Sequence, residues 1–440
     1  MKADIRHNSP QIEMIRISEL RARETNPRTH PQKQIERIAK SIREFGFTAP
    51  VLIDEDNGIV AGYARIEAAR SIGMDAVPTV RLSHLSPEQI RAYVIADNKL
   101  AEGAGWDKDI LRIELTAIAE LDFDLGDLGF ETPELDILFG DETSKAKTLP
   151  PEPDRSAPGI CQPGDIWQIG PHRLGVGDVR DTELLGKLMD GRHARMVLTD
   201  PPYNVRIGGH VQVKPKTGHG EFAFASGEMT PDEFTAFLTD AFKPMRDALM
   251  EGGLFYSWMD WRHLPELNRA AFCLGLDPIN LCVWRKTNAG MGSLYRSQHE
   301  LCAVYKWGRA AHVNNVELGM HGRSRSNVWD HAGMTSFGAD RDEALKAHPT
   351  VKPVKLLADA ILDVSHRGEI VLDGFAGSGS TVVAAHETGR IGIGVEIDPH
   401  YCDVALLRLS QATGLPALHS ATNETFETRA AAHTQKDMAK

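Results

Sequence analysis

The stretch from residue 369 to 396 limits the fold more than any other part of the chain. Glu369-Ile370-Val371-Leu372-Asp373 is a continuous apolar run between carboxylates, Gly374-Phe375-Ala376-Gly377-Ser378-Gly379-Ser380-Thr381 follows it into an Ala-rich segment, and Ile391-Gly392-Ile393-Gly394-Val395 forms a second apolar run closing on Glu396. Apolar runs without alternation read as strands covered on both faces. Two of them joined by a helix make a βαβ unit of a mostly parallel sheet, so the fold class is α/β. Glycines at a strand-to-helix turn let backbone approach a ligand, and the helix N-terminus favours negative charge. Glu396, about twenty residues beyond the loop, stands where a nucleoside-binding unit carries its ribose-hydroxyl acceptor. The loop lacks the Gly-Lys-Ser/Thr ending of a phosphate cradle, which argues against ATP or GTP. Glycines at 374, 377 and 379 also depart from the Gly-x-Gly-x-x-Gly of dinucleotide enzymes.

A second apolar run, Met196-Val197-Leu198, leads into Asp200-Pro201-Pro202-Tyr203. Catalytic groups in open α/β sheets collect beyond the carboxyl ends of such strands. An amino group conjugated to an aromatic ring is a poor nucleophile, because its lone pair is delocalised. The Asp200 carboxylate and the Pro201 carbonyl can each accept one amino hydrogen and draw the nitrogen towards tetrahedral geometry. Pro201 and Pro202 fix φ and bring no competing N–H, and Tyr203 offers a face for an extruded base.

On these motifs the chain resembles the amino-group DNA methyltransferases that use S-adenosylmethionine. Asp-Pro-Pro-Tyr matches their catalytic motif and Phe375-Ala376-Gly377-Ser378-Gly379 their Phe-x-Gly-x-Gly cofactor motif, in the permuted order of the family's β group. The resemblance implies a Rossmann-like methyltransferase sheet. It also implies cofactor contacts from Asp178, Thr350, Lys352, Asp373, Phe375, Ala376, Gly377, Ser378, Gly379, Ser380, Thr381 and Glu396. Thr350 and Lys352, in His348-Pro349-Thr350-Val351-Lys352-Pro353, would hold the methionine carboxylate, an ammonium meeting an anion. Asp178 corresponds to an acidic position near the cofactor's adenine amino group. The stretch from Trp284-Arg285-Lys286 to Tyr295-Arg296-Ser297-Gln298-His299-Glu300 resembles the target-recognition part, with Arg285, Lys286, Tyr295 and Arg296 as DNA contacts. Asp at the first motif position is associated in the family mainly with N6-adenine, whereas N4-cytosine enzymes usually begin with Ser; N4-cytosine stays as the alternative. C5-cytosine methylation needs a thiolate nucleophile, and none of Cys161, Cys273, Cys282, Cys302 and Cys402 follows a Pro in a candidate loop.

The 440-residue length allows two or three domains, and 42% hydrophobic content supports proper cores. Five scattered cysteines without Cys-x-x-Cys pairs point to a reducing compartment and no metal cluster. No apolar leader or membrane span is read, so a cytoplasmic protein with no membrane partner is expected. The net charge of −12 sets no obstacle to meeting double-stranded DNA, because net charge says little about a local groove. Arg206, Lys214, Lys216, Arg323 and Arg325 are further candidates for such a surface, and residues 205–227 read as a mobile loop over cofactor or base. A homodimer is compatible with the sequence; a cognate restriction endonuclease is left open.

Before the methyltransferase-like part, Ile35, Ile38, Ala39, Ile42 and Phe45 share a helical face stopped by Gly46. Short strands at 50–54 and 59–61 are joined through Asn57-Gly58, Gly62-Tyr63-Ala64-Arg65 opens a helix, a strand runs over 77–82, and Ser86-Pro87-Glu88-Gln89 starts another helix. With Asn26-Pro27-Arg28, the Phe45-Gly46 helix end and Gly62-x-x-Arg65, this α+β stretch resembles the N-terminal domain of ParB-type partition proteins, which implies a nucleotide or nucleic-acid contact at Arg65. Ile95-Ala96-Asp97-Asn98-Lys99 departs from the partition proteins' Glu-Asn-x-x-Arg series, so a DNA-contacting accessory module is expected rather than a CTP-hydrolysing one. The expected division is therefore a ParB-like domain at 12–105, a helical segment and linker at 106–160, the methyltransferase domain at 161–412 and a frayed tail at 413–440. Leu111, Ile113, Leu115, Ile118 and Leu121 are expected to form the apolar face of the middle segment. Two rival readings remain: a partition protein with a vestigial methyltransferase part, and an RNA or protein methyltransferase.

Overall fold

A computed structural model of the chain describes residues 11–23, 30–101, 106–119, 121, 125–139, 159–205, 227–287, 289, 294–316, 325–331 and 352–438. It divides into two compact units, Met1–Glu131 and Thr132–Lys440, so the first division falls past the expected 105/106 boundary. Among the described residues no helix is long and apolar enough to cross a membrane.

The first unit runs β1 (Ile12–Arg16), α1 (Gln32–Phe45), β2 (Val51–Ile53), β3 (Ile59–Ala61), α2 (Tyr63–Ser71), β4 (Ala76–Arg81), α3 (Pro87–Ala101) and α4 (Lys108–Ala119). Its sheet has the order β1-β4-β2-β3 over a core of Val51, Ile53, Ile59, Ile66 and Val77. The local signals act as read. Gly46 at φ 76 ends α1, Asn57 at φ 61 turns β2 into β3, and the Gln89 side chain accepts from the Ser86 N–H at 2.9 Å to start α3. The apolar face expected on α4 is narrower: Leu115 is buried while Ile113 and Leu121 are exposed. Residues two apart lie on nearly opposite sides of a helix, so Ile113 cannot share the face of Leu115.

The second unit begins with α5 (Thr132–Phe139), then β5 (Ile166–Ile169), β6 (His172–Val176), α6 (Thr182–Met189), β7 (Ala194–Thr199), α7 (Pro231–Asp247), β8 (Leu249–Met259) and α8 (Leu264–Cys273). It continues with β9 (Leu276–Arg285), β10 (His299–Trp307), β11 (Val328–Asp330), α9 (Val354–Val364), β12 (Ile370–Asp373), α10 (Ser380–Glu387), β13 (Ile391–Glu396), α11 (Pro399–Thr413), β14 (Leu418–His419) and α12 (Phe426–Met438). One sheet holds the strands in the order β11-β9-β10-β8-β7-β12-β13-β6-β5-β14. Its centre, β8-β7-β12-β13-β6, is parallel, and β10 and β5 flank it antiparallel.

Alternation along the central strands explains the layers. Val197, Leu372 and Ile393 pack with α6, α7 and α8 on one face, and Met196, Leu198 and Val371 pack with α9 and α10 on the other. Both faces of these strands are therefore apolar, which is why the sequence shows unbroken runs.

Two parts depart from the expected division. The tail expected to fray is folded: β14 pairs with β5, and the buried Trp167 ring meets His419 at 5.2 Å and Phe426 at 5.7 Å. Polar composition concealed it, because its anchors are single residues that complete a core built far upstream. Helix α5, in the expected helical segment, belongs to the second unit, where Arg390 grips Asp136 with both guanidinium arms at 2.8 and 2.9 Å. The same guanidinium donates to Ser365 and Thr388 carbonyls, both at 2.6 Å, and both partners are almost wholly buried. Removing one member of a buried, hydrogen-bonded pair strands the other charge. Asp136→Ala is accordingly expected to lower the unfolding free energy of the chain by about 3–5 kcal/mol in denaturant titration; a change below about 1 kcal/mol would show that the pair does not clamp α5.

Candidate active site

Parallel pairing brings carboxylates distant in sequence to one edge of the sheet. Asp178 follows β6, Glu396 ends β13, Asp373 ends β12 and Asp200 follows β7, and these are consecutive parallel strands of the sheet. The Thr199 hydroxyl donates to Asp373 Oδ1 at 2.8 Å, tying the strand that delivers Asp-Pro-Pro-Tyr to the strand that delivers the Gly-rich loop.

The loop itself is held from below and open above. Phe375 N–H donates to Asp373 Oδ1 at 3.0 Å and Gly377 N–H to Glu396 Oε2 at 2.7 Å. Arg408 on α11 donates to the Ser378 carbonyl at 2.6 Å and to the Ser378 and Ser380 hydroxyls at 3.0 and 3.1 Å. Gly379, at φ 79, lies where a Cβ would stand 2.9 Å from Ala405. Gly377, at φ 51, faces open space within 4 Å of that position, so this is where backbone is bare to a ligand. Ala376 is buried and Phe375 half-buried, with Phe237 at 6.4 Å and Arg180 over the Phe237 ring at 5.7 Å.

The acidic groups differ in charge state. Burial pushes the Asp373 carboxyl up to about 6, against hydrogen bonds from Thr381, Phe375 and Thr199. Burial likewise pushes Glu396 up to about 7, against the N–H groups of Asp398 and Gly377. Burial would raise Asp178 too, but its hydrogen bonds and ion pair with Arg180 at 2.6 Å hold it below the ordinary range.

Around Asp200 the side chains form a closed set. Lys352 Nζ lies 2.5 Å from Asp200 Oδ2, 3.1 Å from Glu300 Oε2 and 3.2 Å from the Tyr203 hydroxyl, which itself donates to Asp200 Oδ1 at 2.5 Å. Lys286 Nζ sits 2.5 Å from the other Glu300 oxygen. Lys352 also lies over the Trp258 ring at 5.1 Å and the Tyr203 ring at 5.6 Å. Burial disfavours its ammonium, but Asp200 and Glu300 outweigh that and raise its pKa. Burial raises Asp200, opposed by the Lys352 charge and reinforced by Glu300. Burial would raise Glu300 as well, yet the two lysines hold it below its ordinary value.

Several of the expected site residues have partners within the chain. Lys352, expected on a methionine carboxylate, is committed to Asp200 and Glu300, because a buried ammonium is stable only beside anions. Thr350 lies outside the described residues, as do Arg206, Lys214, Lys216, Arg323 and most of the expected mobile loop. Lys286, expected at DNA, turns to Glu300 and the Trp284 ring. Arg285 makes a two-armed pair with Asp330 at 2.6 and 2.8 Å, Arg296 donates to the Ala289 carbonyl at 2.5 Å, and Arg325 pairs with Asp359 and Asp363. Tyr295, with 83% of its surface accessible, is the recognition candidate that projects fully into solvent. In the first unit, Arg65 donates to the Ala49 carbonyl at 2.7 Å and packs beside Gly62, which binds the loop after α1.

The sequence reading missed Glu300 as a charge partner, Arg408 as the loop's brace, and Asn204. Asn204, at φ 54, donates to the Met229 carbonyl at 2.8 Å and accepts from Gly227 and Met229 N–H, tying the end of the Asp-Pro-Pro-Tyr turn to the segment before α7. An Asn directly after Asp-Pro-Pro-Tyr was the available signal, since Asn tolerates the left-handed region.

A bare glycine beside carboxylates at the tips of parallel strands, next to an Asp-Pro-Pro-Tyr turn, makes a candidate site at the edge where open α/β sheets bind their ligands. Residues 194–407 match the DNA methylase family that joins N6 and N4 enzymes, residues 1–98 the ParB N-terminal domain, and residues 109–163 the ParB-methyltransferase HTH domain. The chain belongs to this family of amino-group DNA methyltransferases and carries a ParB-like N-terminal domain. It is 45% identical over 73 residues to the ParB-like nuclease domain-containing protein YnaK of Escherichia coli (strain K12), covering 17% of this chain and 84% of that protein. It is 28% identical over 241 residues to YubD of the same strain, a methylase by name, covering 55% of this chain and 92% of that one. Among solved structures it is similar to the cytosine-N4-specific PvuII DNA methyltransferase, at 16% identity over 64% of this chain and 95% of that chain, with a TM-score of 0.42. The helix-turn-helix match falls on the segment read only as helical and linking.

Asp373 and Glu396 bind protons more tightly in the fold than in an unfolded chain. Their contribution to stability is therefore full at low pH and is lost as pH rises through about 6 and about 7. Glu396→Gln is expected to flatten that decline: between about pH 5 and pH 8 its unfolding free energy should fall by on the order of 2–3 kcal/mol less than that of the parent chain. Equal slopes in denaturant titrations would remove Glu396 as a buried titrating group.

Proposed function

We propose that this chain transfers a methyl group from S-adenosylmethionine to the exocyclic N6 of adenine in double-stranded DNA, by direct displacement on a base turned out of the helix. The observation that carries the reading is the Thr199–Asp373 tie, which sets the Asp-Pro-Pro-Tyr turn beside the open Gly-rich loop. The residues present suit the cofactor: Gly377 leaves room at the loop, and Glu396 keeps acceptor capacity beyond its two backbone N–H donors. Asp178 would meet the adenine amino group, Glu396 the ribose hydroxyls, and Phe375 to Thr381 with Asp373 would line the nucleoside. S-adenosylmethionine, when bound, supplies a sulfonium-activated methyl group whose leaving group is a neutral thioether.

The chain's own residues act on the amine. Asp200 and the Pro201 carbonyl each accept an N6 hydrogen and hold the nitrogen in line for displacement, and Pro202 keeps the turn stiff. Tyr203 contributes the aromatic wall that replaces lost stacking. Its hydroxyl and the Lys352 ammonium fix the Asp200 carboxylate. After transfer the nitrogen carries one proton too many, and Asp200 is the acceptor in contact with it. Adenine is preferred over cytosine because the motif begins with Asp, although N4 of cytosine presents the same conjugated amine.

Asp200→Ala is expected to reduce labelled methyl incorporation into unmethylated DNA at least about a thousandfold, with cofactor affinity nearly unchanged by calorimetry; undiminished incorporation would refute the catalytic assignment. Gly377→Val adds a β-branched side chain at a left-handed position, a strain of about 1–3 kcal/mol. Cofactor affinity should drop about tenfold or more, and an unchanged value would argue against the loop as the cofactor's seat. Methylation-sensitive long-read sequencing of DNA from cells expressing the chain should report N6-methyladenine in one sequence context; N4-methylcytosine would reassign the base.

A further inference from the structure

The recognition hairpin supplies part of the catalytic machinery. Glu300 starts the β10 arm and Lys286 follows the β9 arm, and both reach into the set around Asp200 rather than outwards. The order of contacts is Asp200, Lys352, Glu300, Lys286, with separations of 2.5, 3.1 and 2.5 Å. Two carboxylates and two ammonium groups alternate, so the buried set is neutral overall. Lys352 is almost fully enclosed, whereas the Asp200, Glu300 and Lys286 side chains keep 26%, 20% and 27% of their surface exposed, so a buried ammonium is flanked by half-buried partners. Other polar or ionisable groups facing it are the Tyr203 hydroxyl after β7, the buried Cys302 thiol on β10 and Asp373 at the end of β12.

We propose that Glu300 is a positioning residue for methyl transfer, which holds the Lys352 ammonium on Asp200. The inference rests on the amino-methyl-transfer reading above. In the step, the methylated nitrogen releases its extra proton to the Asp200 carboxylate, which passes it to solvent water at its exposed edge and is again an anion. Lys352 and Glu300 keep their own protons throughout and fix the direction of the Asp200 oxygens.

The test is the pH dependence of methyl transfer by the full chain, with labelled S-adenosylmethionine and unmethylated genomic DNA. Glu300→Gln removes a negative charge beside both Asp200 and Lys352, so Asp200 holds its proton less tightly and Lys352 loses its own more easily. Both limbs of the pH profile should move to lower pH, with kcat down about ten- to a hundredfold and KM for DNA within about twofold. Glu300→Asp, which keeps the charge, should restore most of the rate and the limb positions. If Glu300→Gln does not fold, Lys286→Met serves: Glu300's charge then acts on Lys352 alone, and the alkaline limb should move to higher pH. A lower rate with unmoved limbs in the folded variants, or an unchanged kcat, overturns the proposal. A parent chain that transfers methyl groups while Glu300→Gln leaves the limbs in place removes this inference alone; a parent chain that transfers none removes it together with the reading on which it rests.

Discussion

Register between β7 and β12 is the constraint from which the rest of the site follows. These strands come from segments 174 residues apart at the Thr199–Asp373 contact, and they pair in parallel. Parallel pairing sends both carboxyl ends to one edge, so the stiff Asp-Pro-Pro-Tyr turn and the flexible Gly-rich turn emerge side by side. Because side chains alternate along a strand, a slip of one residue would exchange the faces of Met196, Val197 and Leu198 and break both apolar layers. The cores that cover the sheet thus also fix the position of the Asp-Pro-Pro-Tyr turn.

Charge placement along that edge follows from burial. Asp373 and Glu396 sit beneath the Gly-rich loop with few cations near, so desolvation dominates and their protons are held towards neutrality. Burial raises Asp200 in the same way, but Lys352 in contact opposes it, and Glu300 is held below its ordinary range by its two lysines. A carboxyl near its neutral point can accept hydroxyl and amide hydrogens without an uncompensated buried charge, whereas a carboxylate in contact with an ammonium has its charge balanced by the ion pair.

Three central strands of the large sheet and both turns were legible from the chain, because continuous apolar runs and Gly or Pro punctuation are local signals. The strands at 196–198, 370–373 and 391–395, the Gly46 helix stop, the Asn57 hairpin and the Ser86 cap all follow from neighbouring residues. What escaped depends on contacts between distant segments. The Lys352 pairing with Asp200 spans 152 positions, and Arg390 with Asp136 spans 254. No spacing rule announces which carboxylate a lysine will meet once folded. Lys286 and Arg285, expected at DNA from their place in a recognition-like stretch, show the same limit: Lys286 pairs with Glu300 across the β9–β10 hairpin and Arg285 with Asp330 on the neighbouring parallel strand β11.

That internal pairing bears on how a chain of net charge −12 deals with a polyanion. Arg285, Lys286 and Arg325 are spent on acidic partners within the second unit, so their charges add little long-range attraction. Among the described residues between β9 and β10, Tyr295 and its neighbour Leu294 are both 83% exposed. Exposed apolar and aromatic groups contribute through contact with base faces rather than through phosphate neutralisation, and that contribution varies little with salt. The charges around Asp200 are paired with one another, and their alternating signs hold that carboxylate in one orientation.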